Sequence, residues 1–419
     1  MHVCIFEDTQ FKNFLPLVYS RPVFDLRCGA LSLREKIGAA LPRTKFILYV
    51  RSELVDCVRE ELPEASVNIF PDGDLWLVNG RVLADEHLSK LVRRHASGSK
   101  VFFSGEEVVA AFIDRSDRQH IIDQLDGRPV DTAMVGHLPS APFECSLVHY
   151  PWDMVHHTPE EIGKDVRRSH GLKKKTKATV VTGAHLINKK NIHLGSGTAI
   201  RPGAVLDAEN GAVIIGKNVM VMPNSFIEGP AYIGDNSVIK AGAKIYHGTS
   251  IGKRCKVGGE VDAAIIQSYS NKQHDGFLGH SYVGSWVNIG ADTNTSDLKN
   301  TYGSVKVPVN GELVDTNMQF VGLTMGDHSK TGINVMFDTG TNVGVFCNVF
   351  GSGLPPKFLP SFSWGKDNTY ATYQLEKSLE TARRVMARRD IQMSEAYERL
   401  LRNIFSATIE ERRKAGIQS

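Results

Sequence analysis

Three histidines stand near one another in the second half of the chain, His247, His274 and His280, the last two inside the segment GGEVDAAIIQSYSNKQHDGFLGHSYVGSWVNIGAD. A neutral imidazole with a pKa near 6.5 suits proton abstraction at neutral pH, and a carboxylate on its far nitrogen fixes the tautomer and raises its basicity. Three imidazoles can also hold zinc, but no close pair here is joined by a third at a recognisable ligand spacing. A surface-loop histidine without chemistry is the plain alternative. A second group, Arg21, Arg27, Arg34 and Lys36, follows the first apolar run in EDTQFKNFLPLVYSRPVFDLRCGAL. Arginine forks suit phosphates, so this loop is a candidate nucleotide or sugar-phosphate site; pairing with Glu7, Asp8, Asp25 and Glu35 is the competing use. A third, KDVRRSHGLKKKTK over 164–177, reads as a connector, or as a patch for a phosphorylated ligand such as coenzyme A.

The elements that must position these residues are set by two different periodicities. From Ile215 to Gly258 the residues Ile215, Val221, Ile227, Ile233, Ile239, Ile245, Ile251 and Val257 recur every six positions, with glycine often following. Neither a helix nor simple alternation has this period; a short strand plus a corner does, and three of them close one coil of about 18 residues. Stacked coils turn the aliphatic positions into interior ladders. The same phase holds at Leu194, Ile200 and Leu206 and at Met325, Thr331, Phe337, Val343 and Val349, which gives a parallel β-helix over 179–351. The phase breaks after Val257 and returns at Val283 and Ile289, so loops are expected to leave the prism there and build a binding face.

Residues 1–155 read as an α/β domain with a Rossmann-like sheet. His2 to Phe6 is a strand, Ser32-Leu-Arg-Glu35 a capping box, Lys45 to Val50 a strand, Glu53 to Leu62 a helix and Val67 to Phe70 a strand. Asn79-Gly80 predicts a tight hairpin joining Leu75–Val78 to Arg81–Ala84, before a helix over Asp85–His95 and a strand at Val101–Phe103. Residues 156–178 are expected to link the domains. After Gly351 the prolines 355, 356 and 360 predict departure from the ladder. Helices near 372–388 and 394–414 then cap its open end or pack on a neighbouring subunit.

With 419 residues, 42% apolar, the chain can bury a large core, and a formal charge of +3 gives no reason to expect nucleic acid or membrane. Six scattered cysteines suit a reducing cytoplasm, and MHVCIFEDT has no apolar signal stretch.

The segment around His274 resembles the acetyltransferase half of the bifunctional bacterial glucosamine-1-phosphate N-acetyltransferase/N-acetylglucosamine-1-phosphate uridylyltransferase family. That family's histidine, aromatic-Leu-Gly and VNIGAG have their counterparts in His274, Phe277-Leu278-Gly279 and Val287-Asn288-Ile289-Gly290-Ala291. The resemblance implies a nucleotidyltransferase-like α/β domain, a left-handed β-helix and C-terminal helices, in a cytoplasmic homotrimer. It implies His274 as general base with Glu260 as its carboxylate. Asn288, Asp297, Phe277 and Lys272 become substrate contacts, and the backbone at Ala291 an oxyanion donor on the acetyl-CoA side. The implied reaction is acetyl-CoA-dependent N-acetylation of glucosamine 1-phosphate, with UDP-N-acetylglucosamine pyrophosphorylase activity, UTP or dTTP and Mg²⁺ belonging to the first domain. No metal site is expected in the β-helix.

The chain departs from the family in several places. The family's asparagine falls at Asp297, its tyrosine at Phe277 and its GAG at Gly290-Ala291-Asp292, which implies altered substrate choice. The Gly-rich phosphate loop is absent after the first strand, so Arg21, Arg27 and Arg34 would have to hold phosphate, and the family's metal-binding Asp falls at Asn79 or Gly80. A sugar-1-phosphate nucleotidyltransferase, or a non-catalytic scaffold with a degenerate first domain, are the alternatives.

Overall fold

The computed structural model describes residues 2–95, 97–168, 177–367 and 369–417; the lysine-rich half of the expected basic patch, 169–176, lies outside them. In the first domain the strands are β1 His2–Phe6, β2 Lys45–Tyr49, β3 Ser66–Val67, β4 Leu75–Asn79, β5 Lys100–Ser104, β6 Glu107–Ile113 and β7 Ser140–Pro142. They form one sheet in the order β3-β2-β1-β4-β6-β5-β7, the first four mutually parallel and β6 antiparallel to both of its neighbours. Alternation along β1 sends Val3 and Ile5 into one buried cluster and Cys4 and Phe6 into another, as a sheet covered on both faces requires. Helix α1, Leu33–Ala40, starts at the expected capping box: the Ser32 hydroxyl accepts from Glu35 N while Glu35 accepts from Ser32 N.

The Asn79-Gly80 hairpin does not form. β4 pairs instead with β1 and β6, and Gly80 N donates to Phe6 O at 2.8 Å. Glycine is needed there for close approach rather than for a turn, since a Cβ would lie 2.8 Å from the Phe24 ring and 3.0 Å from Phe6 O.

Beyond Thr179 the chain winds through three parallel sheets, the left-handed β-helix expected. The first face begins at Thr179–Val180, the second at His185–Ile187 and the third at Ile192–Leu194. On the first face the interior ladder reads Ile200, Val221, Ile239, Val257, Lys272.

The expected loop departure after Val257 does not occur. The chain stays in the prism by shortening one coil, so that Val257 pairs with Lys272, 15 residues on, where Ile239 pairs with Val257, 18 residues on. The excursion lies later, between Asn294–Thr295 on the second face and Thr324–Met325 on the third, and carries an antiparallel hairpin of Lys306–Val309 with Glu312–Asp315. Past Gly351 the ladder continues: Phe358–Leu359 pairs with Asn342–Val343, and Ser363–Lys366 with Asn348–Phe350. Pro355 and Pro356 fall in the corner and Pro360 just past a strand, where no ladder donor is lost.

Helix α2 is Val55–Glu61, α3 Glu86–Arg94, α4 Arg115–Gln124 and α5 Pro151–Arg168. The first thirteen residues of the expected linker therefore belong to α5. This helix rests on the third face: Ile162 packs with Ala30 and Ile214, and Pro159 abuts Gly248. Ser250 Oγ donates to Gly29 O at 2.6 Å, and Tyr282 Oη to Arg27 O at 2.9 Å.

Helices α6 Leu375–Ala387 and α7 Glu395–Ala407 do not cap the prism end. They pack along its flank, where Leu379, Leu401 and Ile404 join Phe346 and Phe362 of the β-helix and Leu54 and Val58 of the first domain in one core. With the third face covered and the helices on the corner that leads to the first, the second face stays open.

Candidate functional site

Strand register decides which side chains the open second face presents. Its outward column reads Phe226, Lys244, Glu260, Phe277, Asn294 and Met336 in successive coils. Along the edge shared with the first face, Lys244, Glu260, Asp275, Phe277 and Asn294 line a groove of about 320 Å³. A second depression of about 750 Å³ adjoins it through Asn294 and is lined by Asp292, Asn334, Met336, Phe350 and Lys366. Glu260 and Phe277 are thus brought together in one groove.

His274 sits at the corner above this groove, exposed, and its ring makes no hydrogen bond or ion pair among the described residues. Glu260 is not on it: that carboxylate faces Lys244, 3.5 Å away, because the two are register partners on the same face. Ala291 lies at the same edge one coil on, its carbonyl accepting from Asn334 N and its own N–H uncommitted among the described residues, which leaves a backbone donor for an anionic oxygen.

Three residues are placed elsewhere. Lys272 points into the prism, not toward a substrate; it is 2% exposed, and Nζ donates to Gly258 O and His274 O, each at 3.0 Å. Burial lowers its pKa to about 8. Asn288 is exposed on the first face, between Asn271 and Lys330. Asp297 reaches the opposite edge of the second face, where its Oδ2 lies 2.8 Å from His280 Nδ1. The phase explains Lys272 and Asp297: the shortened coil puts Lys272 on the Val257 ladder, and Asp297 follows Ser296 to the corner that His280 occupies one coil earlier.

The His280–Asp297 contact was missed from the sequence, although register would have found it. Leu278 and Thr295 are strand partners, so His280 and Asp297, each two residues on, share one corner. That corner also holds His247, 4.0 Å from Asp262. Burial raises the Asp262 pKa, with the neighbouring imidazoles opposing it.

In the first domain the three arginines have partners inside the fold. Arg21 grips Asp327 with both Nη atoms, at 3.0 and 2.5 Å, and Ser285 Oγ at 3.1 Å. Arg27 donates to Ala30 O and lies 5.1 Å from the Tyr232 ring centroid. Arg34 binds Asp25, whose pKa burial raises to about 6 against the pull of that guanidinium. Arg34 also lines a groove of about 640 Å³ with Glu35, Lys45, Glu61 and Glu64, at the start of β2 and not at the carboxyl ends of the strands where a nucleotide would sit.

At those carboxyl ends stand Asp8, Asn79, Arg81 and Glu107. Arg81, fully buried, donates to Asp8 through Nε at 3.0 Å and Nη2 at 2.6 Å and to Glu107 at 2.5 Å, while Asn79 Nδ2 reaches Asp8 at 2.8 Å. A guanidinium thus fills the place beside the carboxylate that a cation would need, and this donor set does not fit magnesium. Among the described residues no group of three or more His, Cys, Asp or Glu could hold a metal, and no helix is long and apolar enough to cross a membrane.

Residues 3–172 match a family model described as sugar nucleotidyl transferase, and residues 212–247 and 230–261 match that of the bacterial transferase hexapeptide (six repeats). The bifunctional protein GlmU of Acidithiobacillus ferrooxidans is 33% identical over 144 residues, 34% of this chain and 30% of that protein. GlmU of Methanocaldococcus jannaschii is 36% identical over 95 residues, 23% of each. The bifunctional sugar-1-phosphate nucleotidylyltransferase/acetyltransferase of Sulfurisphaera tokodaii is 31% identical over 91 residues, 22% of this chain and 23% of that protein. The chain thus spans under a third of the length of these relatives. A solved LpxA structure from Acinetobacter baumannii covers 56% of this chain and 92% of its own at 12% identity, with a TM-score of 0.21, too loose a likeness to carry an argument.

Proposed function

We propose that this chain is a sugar-phosphate acetyltransferase, moving the acetyl group of acetyl-CoA to the amine of glucosamine 1-phosphate on its β-helix. The observation that carries this reading is the groove on the second face. The segment whose residues match the acetyltransferase motif folds so that Glu260 and Phe277 line it, with His274 and the free Ala291 N–H at its rim. Within the groove Lys244 offers charge to a phosphate and Phe277 an apolar surface to a sugar ring. A thioester is attacked only by a neutral amine, so a base must take the proton; His274 is the residue the resemblance names, with solvent access but no carboxylate behind it.

A homotrimer belongs to the same reading, since a neighbour laid against the open edge would give the groove its second wall. So does a cytoplasmic setting. The first domain, matched to sugar nucleotidyl transferases, is proposed to bind a nucleotide or sugar nucleotide of the UTP or dTTP kind. Because Arg81 occupies Asp8, no magnesium-dependent step is assigned to it.

The test is to incubate the protein with acetyl-CoA and a panel of amino-sugar phosphates, and separately with UTP or dTTP and magnesium, following free thiol and pyrophosphate. Thiol release dependent on glucosamine 1-phosphate is expected. Absence of thiol release with every acceptor would overturn the acetyltransferase reading.

A further inference from the structure

His280 and Asp297 stand at the far edge of the second face from His274, outside the groove already described. The Nδ1–Oδ2 distance of 2.8 Å joins a side chain 28% exposed to one 13% exposed. An ionised carboxylate can only accept, so Nδ1 carries the proton and Nε2 keeps its lone pair. Nε2 has no hydrogen-bond partner among the described residues. The imidazole is stacked on Phe320 of the excursion, ring centroids 5.1 Å apart, and the Phe277 ring leans across the neighbouring Gly279. Gly279 makes this possible: a Cβ there would lie 2.2 Å from Asp297 Oδ2 and 2.5 Å from Phe277 Cζ. His280 is itself held with φ at +40°, a conformation that disfavours most side chains. Asp262, with a buried Oδ1 that has no hydrogen-bond partner among the described residues, His247 and Glu228 are the charged groups around it.

An imidazole oriented by a carboxylate, stacked on an aromatic ring and offering a free nitrogen is what a general base requires; His274 has only the exposure. We infer that His280, positioned by Asp297, is the proton-accepting group of the acyl transfer, and that the acceptor lies across Phe277 with its nucleophile at the His280 edge. This rests on the acetyltransferase reading. As the acceptor nitrogen bonds to the thioester carbonyl carbon, its proton passes to Nε2. When the tetrahedral adduct collapses, the C–S bond breaks and the proton goes on to the thiolate, leaving an amide and a free thiol. Asp297 is a positioning residue, which gives the family's asparagine-to-aspartate departure at this place a chemical purpose.

The test compares wild type, His280→Asn, Asp297→Asn, Asp297→Glu and His274→Ala in kcat and KM for thiol release from acetyl-CoA. Asparagine is chosen at 280 because it tolerates left-handed backbone. Expected are a fall in kcat of about 10²–10⁴-fold for His280→Asn with KM little changed, and a loss of under about tenfold for His274→Ala. In Asp297→Asn kcat should fall with KM little changed, and Asp297→Glu should restore part of it, since the imidazole loses and then regains the acceptor that orients it. Wild-type turnover in His280→Asn, or in Asp297→Asn, would overturn the assignment. If wild type releases no thiol from acetyl-CoA with any amine, the acetyltransferase reading falls, and p-nitrophenyl acetate decides the dyad. Nitrophenol release that needs His280 supports it, and equal release by His280→Asn overturns it.

Discussion

Lys272 occupies a rung that its neighbours along the prism give to valine and isoleucine, and what it does there follows from its charge. The ammonium is buried, its only described partners are the carbonyls of Gly258 and His274, and burial lowers its pKa to about 8. A free lysine titrates near 10.4. Between those values the unfolded chain binds the proton more tightly than the folded one, so stability must rise with pH across that window and the penalty is fully present below it. Lys272→Met is therefore predicted to remove a rise on the order of 1–3 kcal/mol between pH 8 and pH 10. Urea denaturation at several pH values reads it, as wild type minus variant, and parallel curves for the two proteins would refute it. The residue was legible as special only in the wrong sense. The resemblance implies a substrate contact there, whereas its true place depends on a coil shortened by three residues, which no local pattern marks.

At the scale of elements, the corner between the third and first faces shows how a repeat is adapted to burial. Each coil turns there on a residue in the left-handed region, and the series reads Asn218, Asn236, Arg254, Tyr269, Trp286, His328, Phe346, Phe362. Asparagine is the ordinary choice, since other side chains pay about 1–2 kcal/mol for that conformation. The aromatics offset this by stacking: Tyr269 on Trp286 at 4.2 Å, His328 on Phe346 at 4.6 Å and Phe346 on Phe362 at 5.0 Å between ring centroids. The change from asparagine to aromatics coincides with cover. Helix α7 brings Tyr397 Oη to 2.9 Å from His328 Nε2, and Arg412 lies over Phe362 and Phe405.

Burial, then Lys330 and Arg21, holds His328 well below the ordinary histidine pKa. Its folded form stays neutral while the unfolded chain takes up a proton below about pH 6.5. The stability that His328 contributes is thus present above that pH and lost on acidification. His328→Asn should be less stable than wild type by roughly 2 kcal/mol at pH 8, with the gap narrowing toward pH 5. Thermal denaturation at the two pH values measures this, and a gap that widened in acid would contradict it. The strands themselves were readable from the six-residue period because each interior position has one neighbour above and one below. The excursion at 296–323 was not, since a hairpin that leaves the prism obeys no phase.

For the whole molecule, the order of units was legible but their contact was not, because the groups that join them lie hundreds of residues apart. Arg21, in the first-domain loop, meets Asp327 at a β-helix corner 306 positions away. The Asp327 carboxylate is 1% exposed and accepts also from Ser20 Oγ at 2.5 Å and from Ser285 N at 2.8 Å. Around this ion pair runs one core that includes Val3 and Ile5 of the first sheet, Ile265 and Phe346 of the β-helix and Leu401 of α7. An interface made of core should not open without melting what it joins, so the two domains are predicted to unfold in a single transition. Arg21→Met tests the joint directly. Methionine fills much of the space but leaves a buried carboxylate without its counter-ion, a change that costs about 3–5 kcal/mol where such pairs have been broken. Hydrogen exchange should then show protection falling by the same free energy in β1 and in the prism strands around Ile239 and Val257, since both report one global opening. If β1 alone lost protection while the prism kept its own, the first domain would be an independently folding unit merely resting on the β-helix. Asp327→Asn with Arg21→Met should recover part of the loss, because the orphaned charge, and not the missing contact area, carries most of the cost.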